Sequence, residues 1–283
     1  MEENPNYLKT QFDAQNPEHV SAVDELALWS APFGMLLLNT IKMKTNMKAL
    51  DIGFGTGYPL IELAERLGAA SSVYGVDPWE KGADRARQKM KVRGVQNITI
   101  ISQNAEQLPF EDAFFDLIVS NNGINNVQEP EKVFAEIYRT LKPGAQLVFT
   151  VNLPETMKEF YDIFENVLQD LGLIDEKIKM KNHIHEKRKP LEETRGLIQK
   201  AGLKIDQEIL KSFDYRFADG TAMLNYYVIR EFFMPAWIEF LPFHNVKSVF
   251  KNIEQKLNEL AKEKGELRLQ VPFVCFDCSK AAN

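Results

Sequence analysis

Asp51, Gly53, Gly55, Gly57 and Asp77 are the residues of this chain whose types and spacing speak most directly of chemistry. The run Ala49-Leu50-Asp51-Ile52-Gly53-Phe54-Gly55-Thr56-Gly57 sets glycines at alternate positions after a short apolar stretch. Glycines there let the chain turn sharply and let a ligand approach the backbone. A dinucleotide site spaces its glycines G-x-G-x-x-G and seats a pyrophosphate on the next helix N-terminus. Here the spacing is G-x-G-x-G, and Asp51 stands two residues before the first glycine. A carboxylate at that point repels a pyrophosphate and welcomes a cation. The ammonium end of S-adenosylmethionine is such a cation, met directly or through water.

Asp77 ends the apolar run Gly75-Val76-Asp77, where a carboxylate can take both hydroxyls of a ribose. Dinucleotide enzymes use the same device, so alone it does not discriminate. Pro78 and Trp79 follow it and offer a surface for an adenine face. In Gln103-Asn104-Ala105-Glu106-Gln107, the Asn104 side chain can accept from the adenine amino group, and the Ala105 N–H can meet a ring nitrogen. No general base is assigned. Asn121, Asn122, Asn125, Asn126, Tyr226 and His244 are candidates for lining an acceptor pocket.

Other features invite chemistry and carry plainer readings. Cys275 and Cys278 lie in an expected strand, where an offset of three puts them on opposite faces, so neither a shared metal nor a dithiol is expected. His183 and His185 fall in the polar run Lys177–Lys189, read as a solvated connection. Tyr226, Phe233, Trp237 and Phe240 recur at helical spacing, which reads as core packing or as a lid over a ligand.

The elements that must position these residues alternate in type. Apolar runs Met47–Ile52, Ser72–Val76, Ile98–Ser102, Phe115–Ser120 and Gln146–Val151 read as buried strands. Between them, Tyr58–Leu67, Lys81–Arg93 and Pro130–Leu141 read as helices. Strands alternating with helices build a parallel sheet by right-handed crossovers, covered on both faces. Residues 47–151 are therefore an α/β, Rossmann-like doubly wound core. Beyond it come helices at Glu155–Leu171 and Leu191–Lys200 and a sixth strand from Leu203. An aromatic helical stretch Ala222–Phe240, a helix Val246–Lys264 and a last strand Leu267–Phe276 complete the chain.

At this point the chain resembles the class I S-adenosylmethionine-dependent methyltransferases, and within them the small-molecule group that includes ubiquinone/menaquinone-type enzymes. The matching blocks are LDIGFGTG (50–57), GVD (75–77), NAEQLPF (104–110), FDLIVSNNGINNV (115–127) and EIYRTLKPGA (136–145), in family order. The resemblance implies a seven-stranded sheet with the last strand antiparallel, and S-adenosylmethionine as cofactor and methyl donor. Carried over by position, Asp51, Gly53, Gly55 and Gly57 line its methionine end, Asp77 holds the ribose, and Asn104 and Ala105 hold the adenine. Pro78, Trp79, Glu106 and Asn121 complete the expected cofactor set. Where quinone-type relatives carry a His pair near 125 and 126, this chain has Asn125 and Asn126, which argues against a quinone acceptor.

The expected organisation is a single methyltransferase domain over 1–283. It comprises an N-terminal helical cap (1–46), the cofactor core (47–151), helices with the sixth strand (152–219), a helical insertion (220–265) and the last strand (266–283). Residues 220–262, helped by the stretch 20–40 with Trp29 and Phe33, are expected to cover the acceptor site. Trp29, Phe33, Asn122, Asn125, Tyr226, Trp237 and His244 are the expected substrate-pocket residues. The 283 residues carry 34 Lys and Arg against 40 Asp and Glu, a net charge of −6, which disfavours nucleic acid as partner. The start, MEENPNYLKTQF, lacks a basic stretch followed by an apolar one, so no signal peptide is expected, nor a membrane span. The expectation is a cytoplasmic enzyme acting on a small molecule. Its alternatives are a silent S-adenosylmethionine-binding protein and a methyltransferase of protein or nucleic acid.

Overall fold

Strand β1 (Lys48–Ile52) is buried from Ala49 onward on both of its faces, and the architecture follows from what covers each. A computed structural model describes residues 4–25 and 28–282; residues 1–3 of the expected segment 1–46, 26–27 of the expected stretch 20–40 and 283 of the expected segment 266–283 lie outside it. Among the described residues one seven-stranded sheet forms, in the order β3-β2-β1-β4-β5-β7-β6. Its other strands are β2 (Ser72–Val76), β3 (Ile98–Ile101), β4 (Phe115–Asn121), β5 (Leu141–Asn152), β6 (Lys204–Phe217) and β7 (Leu267–Ser279). The pairs β1–β2, β1–β4, β2–β3 and β4–β5 are parallel, and β7 runs antiparallel to β5. This is the expected sheet.

Side chains alternate across it into two cores. Leu50, Ile52, Ile118, Leu147 and Phe149 pack on one side, under α5 (Pro130–Thr140) and α8 (Leu191–Lys200). Ala49, Leu117, Val119 and Val148 pack on the other, under α2 (Ala31–Thr40), α3 (Leu60–Leu67) and α4 (Glu80–Arg93). Cys278 belongs to the first core and Cys275 to the second, as the offset of three requires. The described residues within 1–46 form a 3-10 turn at Asn6–Leu8, α1 (Pro17–Asp24) and α2.

Two units are distinguished by their internal packing. One comprises Ala14–Leu153, Arg188–Lys211 and Phe273–Asn283, and holds the cores just described. The other comprises the described residues within Met1–Asp13, with Pro154–Lys187 and Ser212–Pro272. Its helices are α6 (Lys158–Asp170), α7 (Ile174–Lys187), α9 (Gly220–Asn225), α10 (Met234–Glu239) and α11 (Val246–Lys264). Trp237 lies at its centre. The ring stacks on Phe160 with centroids 4.1 Å apart, and the indole N–H donates to the Tyr161 hydroxyl at 2.9 Å. The N-terminal segment is tied to this unit at two places. Tyr7 donates to Glu254 at 2.6 Å, and the buried Glu231 accepts the Gln11 and Phe12 amides at 2.7 and 2.8 Å.

The structure corrects two expectations here. The polar run holding His183 and His185 is helix α7 rather than a connection. Lys177 and Lys181, one turn apart, both reach Glu165 of α6 (2.9 and 2.8 Å), which gives a highly charged segment a reason to stay helical. The stretch Ala222–Phe240 is not one broken helix but α9, a π-helical turn at Ile229–Phe233, and α10. Pro235 sits in the first turn of α10, where a missing N–H costs nothing.

Candidate active site

The carboxyl ends of β1, β2 and β4 converge on the glycine loop, Gly53–Gly57. Gly53 takes φ +78°, and a Cβ built on it would lie 2.8 Å from the Cα of Gly123 beyond β4. A Cβ on Gly123 would in turn sit 2.5 Å from the Ile52 carbonyl. Two facing glycines thus let the end of β1 and the β4 loop touch backbone to backbone. The Ser120 hydroxyl donates to the Ile52 carbonyl at 2.8 Å and fastens the same junction. Gly55, at φ +54°, has no atom of the described residues, its chain neighbours aside, within 4 Å of where its Cβ would stand. That open cradle is where a ligand can approach the main chain.

Asp77, at the end of β2, holds the loop. Its Oδ2 accepts the Gly55 N–H and its Oδ1 the Trp79 N–H, each at 2.8 Å. Burial pushes the carboxyl up, and these two amides oppose the shift. Each oxygen keeps a further lone pair, so a ribose can still be accepted. Asp51 lies one strand over, paired in register with Gly75. It is fully buried, and neither oxygen has a partner in full hydrogen-bond geometry. Burial, then the charge of Asp77, pushes its carboxyl up to about 8, against the pull of the Leu60 amide. A buried carboxylate without donors is costly unless a cation belongs beside it.

The remaining expected cofactor residues follow β3. The Asp77 amide donates to Ile101, which brings that strand end alongside. Asn104 is exposed and Ala105 buried. Glu106 accepts the Gln128 and Glu129 amides (3.1 and 3.4 Å), so it also tethers the loop before α5. Pro78 is exposed. Trp79 is half-buried, its indole donating to the Ala14 carbonyl at 3.0 Å.

At the ends of β4 and β5 stands a group of amides. Asn125 Nδ2 donates to the Oδ1 atoms of Asn122 and Asn152, while the Asn152 amide donates to Asn122 Oδ1 at 3.2 Å. Asn121 accepts from Thr150 at 3.1 Å and donates to the Ser30 carbonyl at 3.1 Å, drawing Trp29 toward the strand end. Asn126 is exposed. Phe33 is fully buried against Phe273, their centroids 4.6 Å apart.

Tyr226, Trp237 and His244 belong to the other unit. Tyr226 packs on Tyr215 and Phe217, and His244 is exposed on a short 3-10 turn, Phe243–Asn245. Phe33 and Trp237, both expected as pocket residues, have no exposed surface and pack on Phe273 and Phe160. Sequence reasoning missed Asn152, which the rule that ligands gather at the carboxyl ends of parallel strands would have found. It also missed Gly123, whose signal is a glycine just past β4. Asp24 and Ser30 gave no signal.

Residues 50–149 match the family described as methyltransferase domain. Residues 50–149 thus carry the pattern of a methyltransferase domain, on a sheet and glycine loop of the kind expected of the class I S-adenosylmethionine-dependent fold. It is similar to the ubiquinone/menaquinone biosynthesis C-methyltransferase UbiE of Psychromonas ingrahamii, 36% identical over 135 residues, 46% of this chain and 54% of that one. It is likewise similar to the demethylmenaquinone methyltransferase of Geobacillus stearothermophilus, 34% identical over 128 residues, 45% and 55% of the two chains. The chain thus spans about half the length of the curated relatives it matches (54% and 55%). Among solved structures, a candidate methyltransferase of Bacillus halodurans superposes with a TM-score of 0.59 at 17% identity, covering 88% of this chain and 99% of that one. That likeness speaks for the fold alone.

Proposed function

We propose that this protein binds S-adenosylmethionine in the glycine loop and transfers its methyl group to a small-molecule acceptor at the ends of β4 and β5. One observation carries the reading: Asp51, a buried carboxyl group with no partner in full hydrogen-bond geometry among the described residues, stands behind an open glycine cradle. The residues present fit the cofactor. Asp51 meets the cationic methionine end, Gly55 leaves room for close approach, Asp77 takes the ribose, and Asn104 with the Ala105 amide takes the adenine. When bound, the cofactor supplies a methyl group already activated as a sulfonium.

What remains for the protein is to hold two reactants in line and exclude water. The Gly53–Gly123 contact fixes the cofactor loop against the β4 loop, so the amides of Asn122 and Asn125 stand at a set distance from it. These amides hydrogen-bond an acceptor without removing a proton from it. An acceptor that is already anionic or softly nucleophilic suits them; one that must lose a proton needs a base. Quinone precursors are the first acceptors to test, because the relatives' names point to them, while Asn125 and Asn126 depart from the quinone pattern. The acidic balance favours a small molecule over nucleic acid. Two free, buried cysteines fit a reducing compartment such as the cytoplasm. No described helix is long and apolar enough to cross a membrane.

Calorimetry with S-adenosylhomocysteine and with NAD tests the reading. Binding of the first and not the second is expected; NAD binding alone would overturn it. Donor-dependent mass gain in a pool of small metabolites then identifies the acceptor.

A further inference from the structure

Thr56 is the single polar side chain between Gly53 and Gly57, and its hydroxyl does not face an empty loop. It donates to Asp24 Oδ1 at 2.8 Å. Asp24 is the last residue of α1, 32 positions away, and its side chain is only 10% exposed. Two cations of α4, one helical turn apart, close on the same carboxylate: Arg85 Nε meets Oδ2 at 2.9 Å and Lys89 Nζ meets Oδ1 at 2.5 Å. Burial alone would raise this carboxyl, but donation from Lys89, Thr56 and Arg85 and the charge of Lys89 hold it below its ordinary value. The other end of the segment is fastened as well, where the Trp79 indole donates to the Ala14 carbonyl.

We propose that Asp24 is a positioning residue for the cofactor loop: through Thr56 it sets the loop's conformation, and through Arg85 and Lys89 it ties that conformation, together with the end of helix α1, to helix α4. This rests on the proposed cofactor site. The physical case is one of missing anchors. Three of the loop's five residues are glycines, which hold no conformation by side-chain packing. Phe54 anchors the loop on the core side, where it is buried. On the ligand side the loop is held by the Gly55 amide on Asp77 and by the Thr56 hydroxyl on Asp24. Asp24 also offsets one of the two positive charges that Arg85 and Lys89 place beside a site for a cationic ligand. Its loss therefore loosens the loop and makes the local field less favourable to that ligand. Every group in this arrangement lies within one packing unit.

The test is a double-mutant cycle on Asp24→Asn and Thr56→Val, read by titration with S-adenosylhomocysteine and by hydrogen exchange of the amides of residues 17–25 in the free protein. Each single variant should weaken binding about tenfold, as loss of a charge-assisted hydrogen bond implies. The double variant should bind no more weakly than the poorer single one, because both remove the same link. Thr56→Ser should restore binding. Exchange in residues 17–25 should rise in Asp24→Asn even without ligand. Unchanged affinity in both single variants, fully additive losses, or unchanged exchange would each overturn the latch. If the unaltered protein fails to bind S-adenosylhomocysteine while exchange responds as expected, the cofactor reading falls and the link that Asp24 makes from α1 to α4 and the glycine loop stands.

Discussion

Asp77 and Asp51 stand at the ends of adjacent parallel strands and are treated in opposite ways: Asp77 receives the amides of Gly55 and Trp79, and Asp51 receives no full hydrogen bond at all. The first carboxylate is built into the protein. The second is buried without such support.

That difference fixes a pH dependence. The carboxyl of Asp51 is pushed up to about 8 in the folded chain, whereas an unfolded aspartate titrates near 3.9. Between those values the folded state keeps a proton that the unfolded state releases, so this group's contribution to stability falls as pH rises from about 4 to 8. Asp51→Asn should remove that slope, raising the melting temperature of the free protein at pH 8 and leaving it little changed at pH 4. Parallel melting curves for the two proteins across this range would refute the assignment.

The same group predicts a proton released on binding. A cationic ligand favours the charged carboxylate, so at pH 7 its binding should expel up to about one proton. Calorimetry with S-adenosylmethionine in two buffers of different ionisation enthalpy reads this directly. Identical heats in both buffers would show that Asp51 does not meet the cation.

Asp77→Ala should weaken binding of S-adenosylhomocysteine and also destabilise the fold. The ribose contact alone would predict a loss of affinity with the fold untouched. Because the carboxylate also carries two backbone amides, we expect about 2–4 kcal/mol of lost stability, from two charge-assisted hydrogen bonds worth about 1.5–3 kcal/mol each less the cost of keeping the carboxylate buried. Chemical denaturation checks it, and a variant as stable as the parent would contradict the geometry.

Trp237→Ala should cost about 3–5 kcal/mol, the usual loss for a fully buried large aromatic. Tyr161→Phe should cost less, about 1–3 kcal/mol, by leaving the buried indole N–H without its acceptor. Turnover per folded molecule should change little in Tyr161→Phe. A variant that melts like the parent but turns over poorly would return this tryptophan cluster to the acceptor site.

Asn125→Ala should reduce acceptor turnover about tenfold, the scale of one lost hydrogen bond to a polar or charged group, while affinity for S-adenosylhomocysteine stays within about twofold. The two measurements must separate for the amide group to be an acceptor site. Equal losses in both would assign Asn125 to the cofactor side.

Much of this was legible before any coordinates. The core strands are continuous apolar runs, so their burial and parallel pairing could be read from Ala49–Ile52 and Leu117–Val119 alone. The glycine spacing and the two aspartates marked the ligand. The opposite placement of Cys275 and Cys278 followed from the pleat. What escaped were relations set by distant packing. Asp24 looks like any acidic residue at a helix end until Thr56, Arg85 and Lys89 close on it. Lys177 and Lys181 read as solvated charge because Glu165 belongs to a different helix. Trp237 and Phe33 carry no mark of whether an aromatic ring faces a ligand or a neighbouring ring; Phe160 and Phe273 decided that.

The two cysteines have a practical consequence. Each is free, fully buried and raised by burial, Cys275 to about 11, and they sit in separate layers on either side of the sheet. A thiolate is the reactive form, so alkylating reagents should find almost nothing to modify in the native protein. Any cysteine introduced at the surface would then take a fluorophore or spin label alone, with the natural pair left in place. The same silence makes the natural pair a clock. Mass spectrometry after timed alkylation would show whether the two layers open together or one before the other.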